Sequence, residues 1–401
     1  MTTATLICHF TPFDTWFFRE SRPHGSVGSS ELGSVFPPPV RTLAGALRTL
    51  IGDAWHSRHG SDWRSFQASS PLAGIIGYGD DLGPLRLGGP FITLDGQRLY
   101  PAPANLMRKQ QGGVTHYFLL ELGEPVACDL GRVHLPQFPR QVPGLDELAG
   151  STPVQGGWLT QQGMQNVLSG QAPKAEDVKE ASELFVSEPR LGIARDNRRK
   201  GVQEGLLYQT RHLRLRPGVG VELHLHGLAD ASLLPERTVI RLGGEGRQAA
   251  LQVRQDSNAP LPCAPASTHN RPTQAAVLYA LTPLPCSANL PAGIPPQFQP
   301  STYKPANDQG QPAQVWEGEL AGQRLRILSV ANGRALREGG WDLASHRARP
   351  VQSLLAPGSV LYVQSLDGQP LQASAFAQPA DANGRGQFLL GTLPGPQPQS
   401  L

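Results

Sequence analysis

No stretch of this 401-residue chain reaches the roughly 18 consecutive apolar residues that a membrane-spanning helix needs. The N-terminus also lacks the basic start and apolar centre of a signal peptide, so a soluble, cytoplasmic protein with no membrane partner is expected. Cysteine is scarce: Cys8, Cys128, Cys263 and Cys286 lie far apart without a CxxC pair, which argues against a zinc knuckle or a disulfide framework. There is no GxSxG nucleophile elbow and no evident pair of catalytic carboxylates, so hydrolase chemistry finds no foothold. Lysine is nearly missing, with five against 30 arginines. A GC-rich genome produces the same bias, so position carries more information than proportion.

What is abundant is glycine (45) and proline (38), which favours turns, strands and long ordered loops over long helices. A hydrophobic content of 39% over this length predicts two domains, or three, each with its own core. Residues 5–18 read as a strand and a bend, and Leu43, Ala46, Leu47, Leu50 and Ile51 predict a helix over 40–52, entered through a proline-rich turn. Short strand candidates and Gly/Pro turns suggest an insertion around 80–190. Two helices are predicted near its end, in WLTQQGMQNVLSG and AEDVKEASELF. Strands follow in LLYQTRHLRL, VGVELHLHGL and TVIRLGGEGRQAALQV, and the polar stretch 257–274 marks a boundary before a second strand-rich unit.

Net charge is only +3, but its distribution is uneven. From Arg190 to Arg216 seven Arg and one Lys face only Asp196 and Glu204, so this segment alone carries an excess of six positive charges. Arg195, Arg198, Arg199 and Lys200 fall in a predicted turn. Arg211, Arg214 and Arg216 alternate with leucines and are read as sharing one strand face. Guanidinium groups are planar donor forks that match phosphate and stack on bases, so RNA is the expected ligand. Solvated charge is the ordinary alternative.

Further candidates are Gly243, Gly244, Gly246 and Arg247 in LGGEGR, where the backbone could approach phosphate, and Arg19, Arg22 and His24 with Arg41 and Arg48 at the first helix. LGGEGR matches neither the Walker loop nor the dinucleotide fingerprint, and a plain turn explains it equally well. His224 and His226 would share a strand face as metal ligands might, but no carboxylate or cysteine cluster joins them, so neither metal nor other cofactor is expected.

Together these segments resemble the third subunit of the Cmr complex, the type III-B CRISPR effector. The resemblance rests on TPFDTWFFRESRPHGS with FPPPVRTLAGALRTLIG, then GGWLTQQGMQNVLSG, EPRLGIARDNRRKGVQEGLLYQTRHLRL and IRLGGEGRQA, and finally GGWDLASHRARP, PGSVLYVQ and GRGQFLLG, all in order. Glu20 and His24 stand where the family pattern has Asp and Phe, which weakens any specific role for His24.

The resemblance implies an α+β fold of two ferredoxin-like, RRM-related domains with long Gly/Pro-rich loops and insertions, over 1–256 and 257–401. It implies a repeat-associated RNA-binding protein of antiviral defence that does not cut RNA. Such a protein grips the repeat-derived 5′ tag of the crRNA, docks to the large polymerase-like subunit and neighbours the backbone subunit, with no small-molecule substrate. The loops at 243–247 and at Gly384, Arg385 and Gly386 would approach the tag, with Trp16, Phe18 or Tyr208 as stacking platforms if they are not core. Two alternatives stay open. One is a guide-RNA-processing endoribonuclease using His24, His212 and Lys200; the other is an adaptor that contacts only protein.

Overall fold

The sequence folds around two antiparallel sheets, seen in a computed structural model that describes residues 5–21, 31–129, 131–196, 201–256, 261–263, 275–286, 293–304, 310–342 and 347–395; the side chains of 193–207 and 256 lie outside the description. The principal elements, in chain order, begin with β1 (Thr5–Pro12), α1 (Val40–His59), β2 (Arg86–Leu94), β3 (Gln97–Pro101), β4 (Trp158–Leu159), α2 (Gln161–Leu168) and β5 (Val178–Lys179). A long hairpin of β6 (Phe185–Asp196) and β7 (Gly201–Leu215) precedes β8 (Val219–His226), β9 (Arg237–Arg241) and β10 (Gln248–Asp256). The C-terminal sheet uses β11 (Ala276–Ala280), β12 (Phe298–Tyr303), β13 (Ala313–Leu320), β14 (Gln323–Ala331), β15 (Val360–Ser365) and β16 (Phe388–Thr392).

The first sheet has the order β5-β4-β3-β2-β8-β1-β10-β9 and the second β12-β13-β14-β15-β11-β16. Within each, the unit's first strand lies between a late strand and a middle one: β10-β1-β8-β2 in the first, β16-β11-β15-β14 in the second. The late arrival of β8 and β10 beside β1 explains why pairing partners so distant in sequence were invisible to local patterns.

Alternation in β1 sends Leu6, Cys8 and Phe10 towards α1, where they meet Leu43, Leu47 and Ile51 in a shared core. The helix starts after Pro39, whose missing N–H costs nothing at that position, and stops at Gly60 in the left-handed conformation (φ 62°). It runs seven residues past the predicted end at Gly52. The polar run from Asp53 to His59 masks the period, although His56 on the inner face is buried.

Three other expectations need correction. Residues 86–101 are strands of the main sheet, with β2 pairing the central β8, so the excursion begins after Pro101 rather than near residue 80. The predicted helix over 175–185 breaks into a 3₁₀ turn (Ala175–Asp177), the short β5 and one helical turn (Ala181–Leu184), because Val178 and Lys179 pair with β4 as the edge of the sheet. Helices do not back the second sheet as expected: between 275 and 395 the described residues contain a single short one, Ala373–Phe376. α2, supplied by the first half, helps cover that sheet instead, with Thr392 Oγ1 donating to the Leu168 carbonyl at 3.3 Å.

Opposite α1 the first sheet carries a polar network. Arg98 Nε donates to Glu222 at 2.5 Å, His224 Nε2 lies 2.9 Å from the same carboxylate, and Arg254 approaches it at 3.5 Å. Burial alone would raise the Glu222 carboxyl, but the His224 hydrogen bond and the Arg98 charge outweigh it and hold the group at about 2. A carboxylate depressed in the folded state stabilises the fold above its ordinary value near 4.5, and that contribution is lost as pH falls from there towards about 2. Thermal melts across pH 6 to 2.5 are expected to show a fall in Tm through this window that Glu222→Gln flattens, at the cost of lower stability at pH 7.

Trp16 is fully buried and its backbone exchanges hydrogen bonds of 2.9 and 2.8 Å with Leu213, tying the base of the hairpin to the segment after β1. Trp16→Ala is expected to cost about 3–5 kcal/mol, read as a lower midpoint in denaturant.

Candidate nucleic-acid interface

The arginine-dense hairpin is the first place to look for an anion site. Its described arginines are already neutralised. Arg190 reaches Asp14 at 3.1 Å and Glu188 at 2.8 Å, Arg214 reaches the same two at 2.9 and 2.7 Å, and Arg211 pairs with Glu31. Hydrogen bonds from these guanidinium groups, Arg190 foremost for Asp14 and Arg214 foremost for Glu188, pull both carboxyls below their usual values. These partners, Asp14, Glu31 and Glu188, all lie outside the stretch 190–216, so the fold brings carboxylates from elsewhere in the sequence to Arg190, Arg211 and Arg214.

Nor do the three strand arginines share a face. Arg211 and Arg214 are an odd number of positions apart, which sends them to opposite sides, and Arg216 lies past the end of β7 with its Nε towards the Ser182 carbonyl. Arg195 is placed by its backbone alone, within β6. Arg22, His24, Arg198, Arg199 and Lys200 lie outside the described residues.

In LGGEGR the close approach is to the protein itself. A Cβ on Gly243 would sit 2.8 Å from the Phe17 carbonyl oxygen and one on Gly244 2.9 Å from the Phe17 ring, while Gly244 N–H donates to that carbonyl at 2.7 Å. Gly246 (φ 68°) meets nothing and closes the turn, and Arg247 pairs with Asp14 at 3.2 Å. Trp16 and Phe18 are core residues; Tyr208 is exposed on the hairpin.

His212 is fully buried, stacked on Phe17 with ring centroids 5.1 Å apart, its Nδ1 against Thr15 at 3.1 Å and its Nε2 against Glu245 at 3.0 Å. Burial, then the nearby Arg190 and Arg247, lowers its pKa. With both ring nitrogens engaged and no exposure, it has no path to a substrate hydroxyl. His224 is committed to the Glu222 and Arg98 network, and no cluster of three metal-ligating side chains occurs among the described residues.

The remaining candidates converge elsewhere. Arg19, Arg41, Arg48, Gly243 and Arg385 line one cleft of about 1480 Å³ between the two sheets. Arg241, Arg337 and Arg349 line it too, giving seven arginines against the four carboxylates Asp53, Asp80, Glu338 and Asp342. A chain of ion pairs crosses it: Arg349 to Asp80, Asp80 to Arg41 at 2.9 Å, Arg41 to Glu338 at 3.9 Å, and Glu338 to Arg385. Arg48 donates to the Gly79 carbonyl at 2.9 Å and retains its charge for the cleft. Arg19, Arg241 and Arg337 are exposed and form no ion pair among the described residues.

Arg385 is set by the Gly-Arg-Gly turn. Gly384 (φ 77°) lets that turn press on β2, where a Cβ would lie 2.9 Å from the Leu87 carbonyl oxygen, and Leu87 N–H donates to Ala382 at 3.0 Å. The turn therefore joins the sheets and points a nearly buried guanidinium at the cleft wall. Arg241, Arg337 and Arg349 went unrecognised from sequence as site residues, although Arg241 adjoins LGGEGR and Arg349 lies within GGWDLASHRARP. An unbalanced set of guanidinium groups in a low-dielectric groove focuses potential on an anion, and their planar forks suit phosphates in series.

The family described as CRISPR-associated protein (Cas_Cmr3) matches residues 8–393 of the chain. No curated protein matches it. Among solved structures, it is similar to a chain of "Cryo-EM structure of the Type III-B Cmr-beta bound to cognate target RNA and AMPPnP, state 1", at 15% identity and a TM-score of 0.47 over 89% of this chain and 86% of that one. A chain of the assembly bound to cognate target RNA gives 16% identity and the same TM-score and coverage.

Proposed function

This chain belongs to the Cas_Cmr3 family of CRISPR-associated proteins, subunits of the type III-B effector, and from that premise we propose that it holds the repeat-derived 5′ tag of the crRNA in the arginine-lined cleft. The observation that carries this reading is the charge surplus of that cleft, seven arginines to four carboxylates, with Arg19, Arg241 and Arg337 unpaired among the described residues. A single strand presents its phosphates in series, and the free guanidinium groups offer forks to several of them at once.

The hairpin, whose described arginines Arg190, Arg211 and Arg214 are paired, is assigned a different part. Its paired arginines contribute shape more than field, and its described face suits contact with the neighbouring subunits, the large polymerase-like subunit and the backbone subunit. The order of strands around β1 and β11 supports two ferredoxin-like domains, residues 1–256 and 257–401. Binding without cleavage is favoured by the burial of His212, the one described member of the set His24, His212 and Lys200 that would perform acid–base cleavage. Incubating the protein with repeat-containing RNA is expected to give retention without cuts; defined, metal-independent cuts would overturn the non-catalytic assignment.

Substituting Arg19, Arg241 and Arg337 together by Gln is expected to weaken tag binding and to reduce the slope of log K against log salt by about 0.7 per lost phosphate contact. Arg214→Gln on the hairpin, whose charge is already balanced, is expected to leave that slope unchanged. Fluorescence anisotropy over a salt series reads both.

A further inference from the structure

The cleft has a second chemical character that charge does not describe. Along its rim, where α1 passes the loop over 62–80, stand Trp63 (39% exposed) and Tyr78 (37%), with Phe66 between them. The rings form a continuous series: Trp63 and Phe66 meet edge to face at 5.3 Å between centroids, and Phe66 and Tyr78 lie tilted at 5.5 Å. Trp341, 55% exposed, lines the same cleft from the C-terminal sheet's side of the chain.

These side chains are fixed in place. Trp63 Nε1 donates to Asp53 of α1 at 2.6 Å, and its ring lies so close over Gly52 that a Cβ there would come within 2.3 Å of it. Asp62 caps the 3₁₀ turn that carries Trp63 by accepting from the Arg64 N–H. Tyr78 is followed directly by Gly79, whose carbonyl accepts from Arg48, and by Asp80, which holds Arg41 and Arg349. Aromatic surface and guanidinium groups are thus set one or two residues apart along one wall.

Exposed aromatic rings on a rigid support cost free energy unless something covers them. A peptide would satisfy the rings but not the surplus of arginines; an RNA single strand satisfies both, with bases against the rings and phosphates at the guanidinium groups. We propose that Trp63, Phe66 and Tyr78 form a base-stacking wall for single-stranded RNA, parallel to the phosphate-binding arginines of the same cleft. This rests on the cleft being the RNA site.

The test uses the full chain and a fluorescently labelled single-stranded RNA carrying the repeat-derived sequence, intact or with abasic positions. Tyr78→Ala and Trp63→Leu are each expected to weaken binding of intact RNA by about tenfold with an unchanged salt slope, because stacking releases no counterions. On the wild-type protein, an abasic RNA is expected to lose a similar factor, and on the variants to lose little more. Intact and abasic RNA bound equally by the wild-type protein would overturn the proposal, and this holds even if a variant fails to fold. Variants that keep RNA affinity but lose assembly with other subunits would overturn it in favour of a protein partner. If Arg19, Arg241 and Arg337 also prove replaceable without loss, the cleft is not the RNA site and both readings fall; if only the arginine variants lose binding, the stacking wall alone falls.

Discussion

Glu338 stands between Arg41 of the first helix and Arg385 of the Gly-Arg-Gly turn, and Asp80 stands between Arg41 and Arg349. These alternating charges cross the cleft between the two halves of the chain, which also meet through the Leu87–Ala382 backbone bond, the Tyr362–Leu120 and Thr392–Leu168 hydrogen bonds and a shared apolar core. Arg385 and Glu338 are both nearly out of water, and each has a second partner, Asp381 for Arg385 at 3.5 Å and Arg41 for Glu338 at 3.9 Å, so the charges are held as a network. The cost of burying them is offset by mutual pairing, and the surplus cations are left at the edge, where an anion can reach them.

That arrangement separates two kinds of arginine that look alike in the sequence. On the hairpin, each described arginine among 190, 211 and 214 has a carboxylate within ion-pair distance, brought there by β1's following bend, by Glu31 or by the partner strand. In the cleft the arginines come from six separate segments of chain, and the carboxylates that would balance them are too few. Electrostatic potential belongs to the folded surface, and charge density along a sequence is a poor guide to it when opposite charges arrive from distant positions.

Much of the fold was nevertheless legible. The α1 start followed from its proline-rich entry and apolar spacing, and β7 to β10 from alternation and glycine turns, because those signals are local. The break-up of residues 175–185 and the central place of β2 depend on partners far away, such as β4 beside Val178 and β8 beside Phe91, which no window of sequence contains. The site was legible in fragments. Arg19, Arg41, Arg48 and Arg385 were singled out from separate motifs, yet their convergence, and the part played by Arg241, Arg337 and the Trp63 wall, required the sheets to meet. The glycines of LGGEGR were read for their backbone freedom, and the structure spends that freedom on Phe17.

The central claim is that RNA lies in the cleft between the sheets and not along the charged hairpin. Photocrosslinking of a tag RNA carrying 4-thiouridine to the protein, followed by mass-spectrometric mapping of the attached residues, addresses it directly. Crosslinks concentrated in 36–53, 63–80 and 336–349 are the predicted result; crosslinks confined to 186–196 and 208–216, with the cleft walls unmodified, would contradict it.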